Sequence, residues 1–275
     1  MAKKSQILNQ KPLCLITGAS AGIGAALARE FASAGWNLAL TARREEPMVE
    51  LAMELKSEFG TVSHILPADL SKPGACADIL ARLKKKKAQV DGLVNNAGYG
   101  LTGYYMHNDW QAHKDFLTVM LEAPCEMTHL VLPGMQERGF GRILNVASLA
   151  GHVPGSRGHT LYAATKSFLI KFSQSLNMEL KGEGVKVSAL CPGFTYSEFH
   201  DVNGTREATE KLPDWMWMDA EEVAESGFMA LEKGQAVHIP GRSNKVIAGL
   251  AKMLPDSIAL KLMDKNSDRV RKGHK

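Results

Sequence analysis

Apolar positions along the chain fall into short unbroken runs separated by longer stretches of helical period. Residues 12–17 form the first run; glycines follow, then an alanine-rich stretch over 23–34 whose spacing predicts a helix. The alternation recurs, with strands expected over 36–41, 62–67, 90–94, 142–147 and 185–191, and helices over 47–59, 73–86 and 161–180. Residues 109–137 carry one long helical period broken near Pro124. A helix over 219–231, with Asp219, Glu221 and Glu222 in its first turn, precedes a seventh strand at 236–239. Strands alternating with helices of ~10–15 residues are βαβ units, which pack as a parallel sheet covered on both faces. The expected fold class is therefore α/β, a doubly wound seven-stranded parallel sheet.

No fixed-period repeat, low-complexity segment or Pro/Ser-rich linker interrupts the pattern, so residues 1–275 are expected to form a single domain. Residues 192–213 lack a period and are rich in Gly, Pro, Asn, Thr and charge. They predict a mobile loop beside the carboxyl edge of the sheet, and 192–218 as a whole is the expected substrate loop. The tail, 244–275, reads as helical, amphipathic over 244–263 and interrupted at Pro255. It suits a cover for the core, a partner subunit or a membrane surface, in that order, because Asp256 and Asp264 break up the basic face that anionic lipid would attract.

At 275 residues and 45% hydrophobic, the chain can bury a large core. The net charge of +4 is mild and interleaved, without the clustered basic stripe of a nucleic-acid binder. The run Lys84 to Lys87 reads as a solvated helix end at the negative pole of the helix dipole. Cys14, Cys76, Cys125 and Cys191 are isolated, with neither a CxxC pair nor zinc spacing, and read as reduced packing residues. No secretory leader and no span of ~18 uncharged apolar residues is present, so a cytoplasmic setting with no integral membrane segment is expected.

Candidate chemistry gathers at the carboxyl ends of the strands. Thr17 to Gly24 has the spacing G-x-x-x-G-x-G between a strand and a helix. Glycines there permit a tight turn and bring backbone N–H groups to a pyrophosphate at the helix N-terminus, a Rossmann-like feature. Where an NAD enzyme would carry an acid, the second strand ends in Ala42-Arg43-Arg44. A guanidinium matches a 2′-phosphate, so Arg43 points to NADP(H); the alternative is a surface arginine paired with Glu45 or Glu46. Asp69 suits either an adenine amine or a helix cap. Tyr162 and Lys166, four residues apart, share one helix face, and a phenol beside an ammonium is expected to have its pKa lowered toward working pH.

These motifs together resemble the short-chain dehydrogenase/reductase family over about 12–241. They comprise Thr17 to Gly24, Asp69-Leu70, Asn95-Asn96-Ala97-Gly98, Ser148, Tyr162-x-x-x-Lys166 and Pro192-Gly193. The resemblance implies that Tyr162 trades the proton, Ser148 holds the substrate oxygen and Lys166 binds ribose hydroxyls. It implies cofactor contacts from Gly18, Ser20, Gly22, Ile23, Gly24, Asp69 and Leu70. Asn95 and Gly98 would support the adenosine side, Pro192 and Gly193 the nicotinamide wall, and Thr195 or Ser197 the carboxamide or phosphates. A homodimer or homotetramer is also implied. No metal site is expected; His152 and His159 read as solvated.

One departure stands out: the family's usual helix asparagine falls at Met120, whose thioether cannot donate a hydrogen bond. Met120 reads either as a core methionine of an active enzyme or as the mark of a non-catalytic NADP-binding regulator. Trp215, Met216 and Trp217 suit an apolar pocket or loop packing equally, and Tyr99, Tyr104 and His159 are further candidates at the mouth. Residues 130–150 resemble the branch containing long-chain 3-oxoacyl-CoA and hydroxysteroid reductases, which implies a bulky apolar carbonyl substrate.

Overall fold

The computed structural model describes residues 11–101, 103–197 and 213–270, with backbone alone over 265–270. The first half alternates β1 (Leu13–Thr17), α1 (Gly22–Ser33), β2 (Asn37–Thr41), α2 (Glu46–Phe59), β3 (Ser63–Ile65), α3 (Ala75–Lys85) and β4 (Gly92–Asn95). After α4 (Trp110–Leu117) and α5 (Ala123–Arg138) come β5 (Gly141–Val146), α6 (Thr160–Glu179) and β6 (Val185–Leu190). The short strands β7 (Phe194–Tyr196) and β8 (Trp217–Asp219) precede α7 (Ala220–Glu232), β9 (Val237–His238), α8 (Arg242–Met253) and α9 (Asp256–Val270). Seven strands form one parallel sheet in the order β3-β2-β1-β4-β5-β6-β9, as the alternation predicts. The order reverses between β1 and β4, and a doubly wound sheet binds its ligand in the crevice at such a reversal.

The strands read as continuous apolar runs because both faces are covered. Along β1, Cys14 and Ile16 face the layer that holds Leu27 and Phe31 of α1 and Val223 of α7. Leu13 and Leu15 face the opposite layer, with Ile79 of α3 and Met127, Val131 and Met135 of α5. This is the two-residue period of a strand. Phe31 packs edge-on against Trp36 and Phe228, with ring centroids 5.2 and 4.9 Å apart.

Two features depart from the sequence pattern. The long helical period breaks through a π-turn over Thr118–Glu122, with α4 before it and α5 after. Part of the expected loop is ordered instead: β7 pairs in parallel with β8 as a separate ribbon. Residues 198–212 of the expected mobile loop lie outside the described residues. The helical tail is present as α8 and α9, divided at Pro255.

A buried polar chain ties four elements beneath the sheet's carboxyl edge. Asn95 at the end of β4 donates to Asn145 Oδ1 of β5 at 2.8 Å, and also reaches Thr128 Oγ1 and the Pro124 carbonyl of α5. Asn145 donates in turn to Ser173 Oγ of α6 at 2.8 Å. Each member is buried, so deleting one strands the polar atoms of its neighbours. Asn145→Leu is expected to lower unfolding free energy by about 2–4 kcal/mol in a urea titration, whereas a fall under about 1 kcal/mol would show the chain to be dispensable.

Candidate functional site

Ser148 stands two residues past β5 and opens a 3₁₀ turn, accepting a hydrogen bond from the Ala150 amide at 3.1 Å. Its hydroxyl also hydrogen-bonds the phenol of Tyr162, in the first turn of α6. One turn further, Lys166 Nζ lies 5.6 Å from the centre of the Tyr162 ring and donates to the Val146 carbonyl at 2.7 Å. The turn is pressed onto α6 at Gly151, where a Cβ would come within 2.8 Å of the Lys166 and Ser167 backbone. Ser167 Oγ donates to the Gly151 carbonyl at 2.6 Å. The structure thus brings Ser148, Tyr162 and Lys166 together.

The expected lowering of the phenol's pKa is not what this geometry produces. Burial pushes Tyr162 up to about 12, and the Ser148 hydrogen bond offsets only part of that. The ring is half-buried, so solvent at its open edge softens the penalty. The ammonium of Lys166 sits over the ring and is bonded to Val146, and burial pushes it down to about 8. At neutral pH the site presents a protonated phenol, a proton donor ready for an oxygen that gains negative charge.

The glycine turn meets the demands of a cofactor cradle. Gly18 and Gly22 adopt positive φ of 67° and 55°. A Cβ on Gly24 would overlap the Gly18 carbonyl oxygen and lie 2.5 Å from Asn96 Nδ2. No side chain caps the N-terminus of α1 and no acid stands in its first turn, which leaves its amides and positive pole for an anion. Arg43 and Arg44 are exposed at the end of β2, with Arg44 Nη2 3.5 Å from Ser20 Oγ. Arg44 thus joins the Arg43 of the sequence reading. Ile23 packs on the core behind the turn and Leu70 on the opposite layer.

Other expected contacts fall elsewhere. Asp69 Oδ1 accepts from the Ser71 amide and hydroxyl at 3.0 and 2.8 Å, which shapes a local turn rather than capping α3. Burial pushes this carboxyl up, but the Ser71 bonds, with Lys72 and Arg43 nearby, hold it below its usual range. The Asn95 side chain is committed to the buried polar chain, so any support it lends a ligand is indirect. Its neighbour Asn96 does what the sequence reading assigned to no residue: its amide bridges the Thr17 and Gly18 carbonyls at 3.0 and 3.1 Å. A Cβ on Gly98 would lie 2.9 Å from Met120 Sδ, so that glycine makes room for the methionine. Met120 itself is buried within the π-turn, and Pro124, having no N–H, withholds one helical donor from the carbonyls a turn behind it.

Pro192 and Gly193 flank the site; the Pro192 carbonyl accepts from Leu149, the residue after Ser148, at 2.8 Å. A Cβ on Gly193 would lie 2.5 Å from Asn244 Oδ1, a close approach between distant residues that no local motif signals. Thr195 is buried on β7 and donates to the Gly193 carbonyl. Ser197 stands where a Cβ on Gly22 would meet it at 2.9 Å, which brings this segment to the glycine turn.

A small cavity beside Tyr162 is lined by Leu101, Tyr105, His113, Phe116, His159 and Leu161, among others. Tyr105 stacks on His113 at 4.3 Å, and Tyr99 packs edge-on against Phe116. Tyr104 is exposed beside His107, and Trp215 is exposed. Trp217 stacks on Tyr196 at 4.8 Å, packing the β7–β8 ribbon together. His152 differs from the solvated histidine expected, since its Nε2 is buried without a partner among the described residues.

The sequence profile of the short chain dehydrogenase family matches residues 12–208, and the chain belongs to that family. It is 37% identical over 224 residues to sulfoacetaldehyde reductase 2 of Chromohalobacter salexigens, covering 78% of this chain and 86% of that one. A short-chain dehydrogenase of Sphingobium yanoikuyae, solved in complex with NADPH, superposes with a TM-score of 0.77 at 31% identity, over 89% and 96% of the two chains. The bulky-bulky ketone specific alcohol dehydrogenase of Comamonas testosteroni does so with a TM-score of 0.74 at 30% identity, over 96% of each. The chain is an NADP-dependent oxidoreductase of this family, and its uncapped helix terminus and paired arginines fit that cofactor.

The Lys166 pKa lies below its ordinary 10.5, so between pH about 8 and 10.5 the unfolded chain binds more protons than the folded one, and stability rises with pH across that window. Below it, the full cost of burying the charge remains. Lys166→Met is therefore expected to raise unfolding free energy at pH 7 by about 1–3 kcal/mol while losing activity. In denaturant titrations that gain should shrink as pH climbs toward 10.5; a variant destabilised equally at every pH would contradict the burial cost. Gly24→Ala should raise the Kd for NADPH by at least about tenfold in a fluorescence titration.

Proposed function

We propose that this chain reduces a bulky, largely uncharged carbonyl compound to a secondary alcohol, using NADPH. The hydrogen-bonded pair of Ser148 and a protonated Tyr162 carries the reading. The cofactor supplies the hydride. Ser148 Oγ holds the substrate oxygen while Tyr162 Oη gives it a proton, and a phenol kept protonated favours the reductive direction. Lys166 binds the ribose hydroxyls; Gly18, Ser20, Gly22 and Gly24 cradle the pyrophosphate, and Arg43 and Arg44 hold the 2′-phosphate. In this reading proton return to Tyr162 does not need an amide at position 120: Pro124 brings no N–H to the carbonyls a turn behind it, and a carbonyl can accept from water.

Two observations support a bulky neutral substrate. The Comamonas relative acts on bulky ketones, and among the described residues no lysine or arginine lines the cavity beside Tyr162. A sulfonate such as that of sulfoacetaldehyde would want a cation there. The same reading takes residues 1–275 as one domain in the cytoplasm. It takes the enzyme as a homodimer or homotetramer, for which Leu130 of α5 and Met178 of α6 offer exposed apolar contacts. The regulator alternative rests on Met120 alone.

NADPH oxidation against a panel of aromatic and alicyclic ketones, 3-oxoacyl thioesters and sulfoacetaldehyde tests this. Turnover is expected on the bulky neutral members; no turnover despite tight NADPH binding would return the regulator. Tyr162→Phe should cut kcat by about 10²–10⁴-fold with NADPH affinity kept, and Met120→Asn should leave kcat within about threefold. Arg43→Ala and Arg44→Ala should each weaken NADPH more than NADH, by about tenfold; equal losses would refute the phosphate role.

A further inference from the structure

The two C-terminal helices carry an apolar face and an excess of positive charge that the chemistry above does not use. On α8, Asn244 and Ala248 are buried against the body. The opposite side exposes Val246, Leu250 and Met253 at 60%, 54% and 82%, spaced i, i+4, i+7 so that they form one stripe. On α9, Ala259 is buried while Ile258 and Leu262, four residues apart, are half exposed, with Leu260 exposed nearby.

Charge is distributed unevenly too. Residues 242–275 hold nine of the 33 lysines and arginines but only three of the 29 acids, so the remainder of the chain is slightly acidic. Of those acids, Asp264 is turned onto the body, where Arg157 bonds it at 2.8 Å. That ion pair removes one of the two carboxylates that argued against an anionic surface.

We infer that α8 and α9 form a peripheral docking face for an anionic lipid bilayer. The aliphatic stripe would enter the headgroup boundary, while Arg242, Lys245, Lys252 and Lys261 keep their heads at its charged surface. A second copy of the chain suits this face poorly, because a two-fold contact would set one basic tail against the other. A protein partner is also disfavoured: residues 242–275 contain no Phe, Tyr or Trp, the anchors that protein interfaces favour.

Co-sedimentation of the full chain with vesicles tests the inference, comparing phosphatidylcholine alone with phosphatidylcholine containing phosphatidylglycerol at low salt. At least about fivefold more chain should pellet with the anionic vesicles, and raised salt should release it. The pair Val246→Glu and Leu250→Glu, and separately Lys245→Glu with Lys261→Glu, should each cut binding at least about fivefold while leaving NADPH oxidation in solution unchanged. Equal pelleting with both vesicle types, or binding indifferent to both variants, would overturn the inference. So would self-association in sedimentation equilibrium that Val246→Glu and Leu250→Glu abolish, which would assign the face to a second copy.

Discussion

The carbonyl of Val146, last residue of β5, is the fixed point on which the site depends. It accepts the Lys166 ammonium at 2.7 Å and so pins α6 to the sheet. Residue by residue, its surroundings are clamped as well. Asn145 before it joins the buried polar chain, and Ala147 after it donates to the Leu190 carbonyl at 2.7 Å. Ser148 therefore leaves the strand in a determined direction. The Leu149 bond to Pro192 sets the flanking turn, and the contact at Gly151 sets the height of Tyr162 above it. The placement of Ser148 and Tyr162 is inherited from backbone hydrogen bonds rather than from the side chains alone.

That placement opposes stability. An ammonium with one carbonyl partner, taken out of water, disfavours its own charge, and burial alone accounts for the direction of the Lys166 shift. The fold tolerates it because the sheet is buried on both faces by two extensive apolar layers. Burial is also the largest cause of the Tyr162 shift, so one cause sets the direction of both groups of the pair.

Most of the fold was legible because local patterns report it. A strand covered on both faces must be apolar along its buried length, as residues 13–16 are, and a helix on such a sheet must repeat at 3.6. The pair Tyr162 and Lys166 was legible for a similar reason, since the two lie one helical turn apart, whereas Ser148 was legible only through the family resemblance. What escaped depends on distant residues. Asn96 looks like Asn95 in sequence, yet one amide bridges the glycine turn and the other is sealed among β4, β5 and α5. The Tyr162 shift runs opposite to the sequence expectation because spacing reports a neighbouring charge but not burial, which is its largest cause. The π-turn hides inside an ordinary helical period, marked only by Pro124.

Gly193 shows how the surface and the site are joined. Asn244 near the start of α8 is buried, and its amide donates to the Pro240 carbonyl at 2.9 Å. The same amide fills the space a side chain at 193 would need, so the Pro192-Gly193 turn rests directly on α8. The helix thus has two separate tasks by its two sides. Its inner side is a rigid stop for a turn that Leu149 ties to Ser148, while its outer side is free of any structural duty among the described residues. An apolar outer face that the core does not require costs solubility, and α8 keeps it while Lys245 and Lys252 surround it with charge.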